Sequence, residues 1–259
     1  MTPRISIAMI AHNEESTVAG ALASAAWADE IILVDCGSTD GTAAAAAGAP
    51  KVRHFSRENS LAVHVNKQFA ADQASGDWIF ILDADEEITE ELRDEIISAV
   101  SSGNAPNAYE MPRRNFYFGR WLKHGGKYPD TQLRLFRKGR ARFIKRPVHE
   151  RLDVSGGTGR LASPLLHYPY RSVSDIPRKL GFYSEALSEN YLEDRRHPLL
   201  IFFRPFTRFI SAYFLKLGFM DGGAGFKTAL TDFYVIFLSI FRYREKLAEG
   251  GKVRTPEKA

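Results

Sequence analysis

Four short strand candidates in the first hundred residues, at 4–10, 30–35, 51–55 and 77–82, alternate with stretches of helical composition at 14–27 and 60–74. Parallel neighbours in a sheet need a crossover, which a helix supplies, so this alternation predicts an α/β fold built on a doubly wound, mostly parallel sheet. Thr89 is positioned to N-cap a further helix, with Glu90 and Glu91 in its first turn, ending near Ser101-Ser102-Gly103. The Ala43–Ala47 run reads as helix rather than linker.

From 107 to 170 the texture changes to short β-like runs and many arginines. Tyr109-Glu110-Met111 and Gln132–Phe136 read as strands, and Gly156-Gly157-Thr158-Gly159 as a turn. Beyond 173 the pattern is helical. Ser174-Asp175 caps a helix with Leu180, Tyr183, Leu187 and Tyr191 on one face, a second starts near Pro205, and a third carries Phe226 to Phe241. The division expected is a domain over 1–172 and an amphipathic helical appendage over 173–259. The run Phe233–Phe241 is far short of the roughly 20 residues a membrane span needs. Aromatic faces flanked by Arg242, Arg244 and Lys246 predict helices lying on a membrane surface; the alternative is packing on the first domain or on a second subunit.

The single cysteine, Cys36, excludes an internal disulfide and fits a reducing compartment. Met1–Arg4 leads into an apolar run too short for a signal peptide, so a cytosolic location is expected. The net charge of +4 is unevenly spread: residues 1–110 carry a net −12, and residues 111–151 a net +11. Such a basic block suits an anionic partner, whether a diphosphate, a phosphorylated glycan, a lipid headgroup or nucleic acid, or else it is a solvated face.

The acidic residues carry the chemistry. In open α/β sheets ligands bind outside the carboxyl ends of the strands. There Ile31–Val34 runs into Asp35-Cys36-Gly37-Ser38-Thr39-Asp40-Gly41-Thr42, and Trp78–Leu82 runs into Asp83-Ala84-Asp85. Asp83 and Asp85 suit a hard divalent cation shared with substrate phosphates. A carboxylate at Asp35 can accept a hydrogen bond from a uracil or thymine ring N–H. A calcium loop starting at Asp35 fails, since its sixth position is Asp40 and its twelfth Ala46. Neither a Walker A sequence nor a Gly-x-Gly-x-x-Gly after the first strand is present.

Ala11-His12-Asn13-Glu14-Glu15, Val34–Thr42 and Gly76–Glu86 together resemble family 2 glycosyltransferases of the GT-A fold. Tyr128–Arg137, Val148-His149-Glu150 and the stretch from Arg204 to Phe226 resemble, within that family, lipopolysaccharide core β-1,4-glucosyltransferases. The resemblance implies a metal-dependent, inverting enzyme that moves one sugar, glucose foremost, from a UDP-sugar to a lipid-linked glycan. It implies a peripheral location on the cytoplasmic face of the inner membrane. Asp35 would bind the nucleobase, Asn13 and Glu14 would line the nucleotide pocket, and Asp83 would meet the ribose or metal. Asp85 would hold Mg²⁺ or Mn²⁺, with His149 either a further ligand or a neutral hydrogen-bonded histidine. Glu150 is the expected base and Asp130 the runner-up, although the family's usual acidic pair is not matched here. Arg134 and Arg137, placed together on the less apolar side of their strand, would contact phosphate or lie on a solvated face. Alternative acceptors are polyprenyl phosphate or a protein side chain. A non-catalytic module holding anionic lipid or nucleic acid is disfavoured by the intact acidic motifs, so no nucleic-acid partner is expected.

Overall fold

A computed structural model describes residues 2–144, 151–194, 196–197 and 201–250. They form two compact units: residues 2–115, 129–144 and 151–169 make up the first, and residues 116–128, 170–194, 196–197 and 201–250 the second.

The first unit is built on a twisted mixed sheet. Its parallel half comprises β1 (Ile5–Ala11), β2 (Glu30–Asp35), β3 (Val52–Ser56) and β4 (Trp78–Asp83), in the order β3-β2-β1-β4. Helices α1 (Val18–Ala25), α2 (Thr42–Ala47) and α3 (Val63–Gln73) make the crossovers between them. Beyond β4 the sheet continues through β8 (Asp130–Arg137), β6 (Ala108–Tyr117), β12 (Leu165–Tyr170) and β5 (Glu86–Ile88), with β8 antiparallel to both of its neighbours. The remaining strands are short: β7 (Arg120–Trp121), β9 (Ala141–Ile144), β10 (Arg151–Val154) and β11 (Thr158–Arg160). Strands β9 and β10 form a separate antiparallel ribbon, and Thr158 and Gly159, expected as part of a turn, pair with β6 instead.

Helices cover both faces of the parallel half, so its strands are continuously apolar rather than alternating. Phe80 and Leu82 point to one core and Ile79 and Ile81 to the other, all buried. Each such side chain contributes about 1.5–3 kcal/mol on burial. Helix α4 (Glu90–Ser101) begins as expected, with Leu92 N–H donating to Thr89 Oγ1 at 3.1 Å.

One buried carboxylate pins the start of this sheet. Glu30 accepts from Ser6 Oγ at 2.6 Å, from the Ser75 backbone N–H and from Arg53. Burial pushes its pKa up, but the hydrogen bonds from Ser6 and Ser75 outweigh that and bring it to about 2.

The second unit is helical: α5 (Asp175–Glu193), α6 (Arg204–Ile210) and α7 (Gly222–Ala248), with a π-turn over Ser211–Leu215 and a 3₁₀ turn over Gly218–Asp221. Tyr191, Leu192, Ile201, Ile240 and Tyr243 form its small core, whereas Tyr183, expected on the same face as Tyr191, is exposed. Arg242 and Lys246 bind Glu185 at 2.5 and 2.7 Å, lashing α7 to α5. Backbones cross closely at two glycines. A Cβ on Gly225 would lie 2.0 Å from the Gly218 carbonyl oxygen, and one on Gly218 would lie 2.6 Å from that of Ala212. The 31 residues Gly218–Ala248 are long and apolar enough to cross a membrane by length and composition. The sequence reading, counting only Phe233–Phe241, missed this because small Gly, Ala and Thr residues carry the run onward. Asp232, mid-helix, is ion-paired with Lys127 and Arg208, at 3.0 and 2.9 Å.

Candidate functional site

The parallel half of the sheet gathers the acidic motifs at one edge. Ala11 pairs with Asp35 and Ile10 with Asp83, so the two acids end the strands on either side of β1. Two strand spacings separate them, about 10 Å.

On the Asp35 side, two turns are laced together. Asn13 takes a left-handed conformation (φ 54°) and its Oδ1 accepts from Thr39 N–H at 2.7 Å, while its own N–H donates to Ser38 Oγ at 2.9 Å. Glu14 N–H donates to Thr42 Oγ1 at 2.8 Å, and its carboxylate accepts from Thr17 Oγ1 at 3.1 Å. Gly37 (φ 66°) permits the tight turn that brings Ser38 N–H to Asp35 Oδ1 at 3.1 Å. The other Asp35 oxygen, Oδ2, makes no hydrogen bond among the described residues, leaving an acceptor for a ring N–H. Asn13, Glu14 and Asp35 are thus brought together, with Asn13 and Glu14 shaping the loop that surrounds Asp35.

On the other side Asp83 and Asp85 have different environments. Asp83 is bound by Arg134 at 2.6 Å and Lys67 at 2.9 Å. Burial raises its pKa, and Arg134 followed by Lys67 more than reverse this, so its carboxyl lies far below the usual range. Glu86, fully buried, accepts from Arg134 at 2.5 Å and Arg113 at 2.8 Å and receives the Asp83 N–H at 3.0 Å. Arg113 binds Asp130 at 2.7 Å in turn. Lys67, Asp83, Arg134, Glu86, Arg113 and Asp130 form one run of alternating charges under the Asp83-Ala84-Asp85 turn.

Asp85 faces His167 across 3.6 Å, Oδ1 to Nε2. His167 Nδ1 lies 2.6 Å from Asn115 Oδ1, and Asn115 Nδ2 donates to Asp130 Oδ2 at 3.0 Å. An uncharged imidazole that donates through Nδ1 would present its Nε2 lone pair toward the Asp85 oxygen. Oxygen and imidazole nitrogen donors held this way fit Mn²⁺ or Mg²⁺, with phosphate and water completing the shell. Among the described residues no three His, Cys, Asp or Glu side chains cluster as a metal cage.

One sequence expectation needs correction. Arg134 and Arg137 do not serve one surface of β8: its pairing with β6 carries a bulge here, and the two guanidiniums take different partners. Arg134 is buried beneath the acidic turn, and Arg137 lies over the Trp78 ring at 4.6 Å. Neither lies on a solvated face, and Arg134 spends its guanidinium on protein carboxylates. Asp130 is engaged by Arg113, Asn115 and Gln132. Burial raises its pKa but Arg113 first, then Asn115 and Gln132, bring it below the usual range, which suits a structural anion better than a base. Glu150 and His149 lie outside the described residues. The sequence reading missed His167, Asn115, Lys67, Arg113 and Glu86. The one signal for His167 is a polar residue inside the apolar run Leu165–Tyr170.

Comparison with known proteins agrees with this geometry. Residues 6–160 match the profile of the family described as Glycosyl transferase family 2. The chain is 29% identical, over 96% of its length and 95% of the relative, to the lipopolysaccharide core biosynthesis glycosyltransferase LpsC of Rhizobium meliloti. It is 30% identical, over 98% and 94% respectively, to a glycosyltransferase of Rickettsia conorii. Among solved structures, residues 1–349 of S. aureus TarS in complex with UDP superpose with a TM-score of 0.50 at 14% identity, covering 95% of this chain and 92% of that one. The shared sheet is the GT-A fold, and the chain belongs to glycosyl transferase family 2.

Proposed function

We propose that this glycosyltransferase moves a single sugar, with glucose the first to test, from a UDP-sugar to a lipid-linked glycan of the lipopolysaccharide core type, inverting the anomeric centre. The observation that carries the donor reading is the pairing of Asp35, with one free acceptor oxygen, and the Asp85–His167 pair across a single strand. Asp35 would accept the uracil N–H. Asp83, its charge balanced by Lys67 and Arg134, would offer oxygens to the ribose rather than to the metal. Asp85 and His167 would hold Mn²⁺ or Mg²⁺, which neutralises the charge developing on the leaving UDP. Glu150 would take the proton from the acceptor hydroxyl as its oxygen bonds the anomeric carbon and the bond to diphosphate breaks. UDP in the TarS complex and the core-biosynthesis role in the name of LpsC support these assignments.

A lipid-linked acceptor calls for a membrane-facing surface, and an exposed apolar patch of the second unit would serve. Phe206, Ile210, Phe214 and Leu217 recur at helical spacing and are all about half exposed, and Leu215 beside them is 75% exposed. Arg204 and Lys216 intersperse the patch, the composition of a segment that lies in an anionic interface. This patch supports a peripheral position on the cytoplasmic leaflet; polyprenyl phosphate or a protein acceptor would be revealed by acceptor profiling.

The test is calorimetric titration of UDP, dTDP and GDP with and without Mn²⁺, repeated on Asp85→Ala. Mn²⁺-dependent UDP binding, lost in the variant, is expected. Binding of no nucleotide, or binding indifferent to Asp85→Ala, would sink the donor-site reading.

A further inference from the structure

Asn115 is buried, 3% exposed, between two groups with opposite demands. On one side is Asp130, ionised because Arg113 binds it through two nitrogens, at 2.9 and 2.7 Å. An ionised carboxylate only accepts, so the Asn115 amide must turn its NH₂ that way. Its oxygen is then committed to His167 Nδ1, which must carry the ring proton in the uncharged imidazole. The reversed amide would set two acceptor oxygens 3.0 Å apart at Asp130. Given an uncharged ring, each choice along this line follows from the one before it, and the Nε2 lone pair then faces Asp85 Oδ1, 3.6 Å away.

We propose that Asn115, oriented by Asp130, is a positioning residue that selects the His167 tautomer needed to share a divalent cation with Asp85. The proposal rests on the metal reading above. It also gives Asp130 a role other than that of base: it acts through two intervening side chains, on the metal rather than on the acceptor. Hydrogen-bond partners of metal-ligating histidines fix ring orientation, and their loss typically weakens metal binding about 10- to 100-fold.

The experiment measures Mn²⁺ affinity directly, from the free-ion paramagnetic resonance signal, with UDP saturating. Asn115→Leu, similar in size but without an acceptor, should weaken Mn²⁺ binding about 10- to 100-fold. A second variant guards against simple damage to the fold. Exchanging the two residues, Asn115→Asp with Asp130→Asn, reverses the amide and carboxylate but keeps an acceptor at His167 Nδ1 and a donor between the pair. It should restore most of the lost affinity. Wild type that fails to bind Mn²⁺ with UDP would remove the metal reading and this proposal with it. Wild type that binds, alongside Asn115→Leu binding equally tightly, would overturn the positioning role alone. An exchanged pair as weak as Asn115→Leu while retaining wild-type unfolding would also overturn it.

Discussion

Replacing Arg134 with Met tests whether the acidic turn is held by compensated charge. The thioether keeps most of the buried stem volume and removes only the guanidinium. In the native protein one nitrogen, Nη2, serves Asp83 Oδ2 at 2.6 Å and Glu86 Oε1 at 2.5 Å, so these two oxygens lie no more than 5.1 Å apart. Without the cation they repel by about 3 kcal/mol at about 5 Å and an effective dielectric constant of about 20. Lys67 and Arg113 remain, yet the alternating run is left one positive charge short. Removing one partner from a buried ion pair typically costs about 3–5 kcal/mol, which agrees with the repulsion. The pH dependence gives the assay its discrimination. In the native protein Asp83, with its pKa held far down, contributes stability that is present above its unfolded value of 3.8 and lost as pH falls through the folded one. In Arg134→Met the strongest downward influence is gone, so burial prevails and Asp83 takes up a proton at higher pH. The penalty should therefore be largest at pH 7 and shrink toward pH 5. Urea unfolding followed by circular dichroism at both pH values measures it. A loss under about 1 kcal/mol at pH 7, or one identical at pH 5, would refute the reasoning.

Four further outcomes are expected. Glu30→Gln should flatten the acid limb of the stability curve between pH 4.5 and about 2, because the native carboxylate stabilises above 4.5 and loses that contribution as pH falls to its folded pKa; an unchanged acid midpoint would contradict this. Gly225→Ala should cost about 3 kcal/mol or more, since its Cβ would meet the Gly218 oxygen at 2.0 Å. Gly223→Ala, with nothing within 4 Å, should be neutral or stabilising by up to about 1 kcal/mol, so equal melting shifts for the two would be evidence against the close crossing. Phe214→Ser with Leu215→Ser should weaken partitioning into anionic vesicles by about 2 kcal/mol, roughly 30-fold, and unaltered flotation would remove the membrane face. Glu150→Gln should lower kcat by about 10²- to 10⁴-fold with UDP affinity intact, and undiminished turnover would exclude it as the base.

What could be read from the sequence was what depends on neighbours along the chain. Thr89 caps α4 because the donor it satisfies is three residues away, and Asp35 and Asp83 end their strands because apolar runs stop there. The alternating charges beneath the turn join Lys67, Asp83, Glu86, Arg113, Asp130 and Arg134, which meet only when β8 and β6 extend the sheet beyond β4. Arg134 reads as phosphate-directed or solvated because it is taken, with Arg137, to lie on the less apolar side of its strand. The fold makes β8 an interior strand and supplies two carboxylates to meet the guanidinium. His167 was passed over in favour of His149 for the same reason: sequence shows that a histidine neighbours an acid along the chain, not that one faces an acid across a sheet.

A single strand, β1, stands between the acid proposed for the base and the acid proposed for the cation, and strand spacing is set by backbone hydrogen bonding rather than by side chains. On the proposed donor reading, the site would work as a length gauge. Substitutions within β1 can alter stability without changing the gauge, and a nucleoside monophosphate spans less of it than a diphosphate does. Divergence in this enzyme's relatives can then retune the base contact at one end and the metal at the other independently, because nothing in the intervening strand has to be renegotiated.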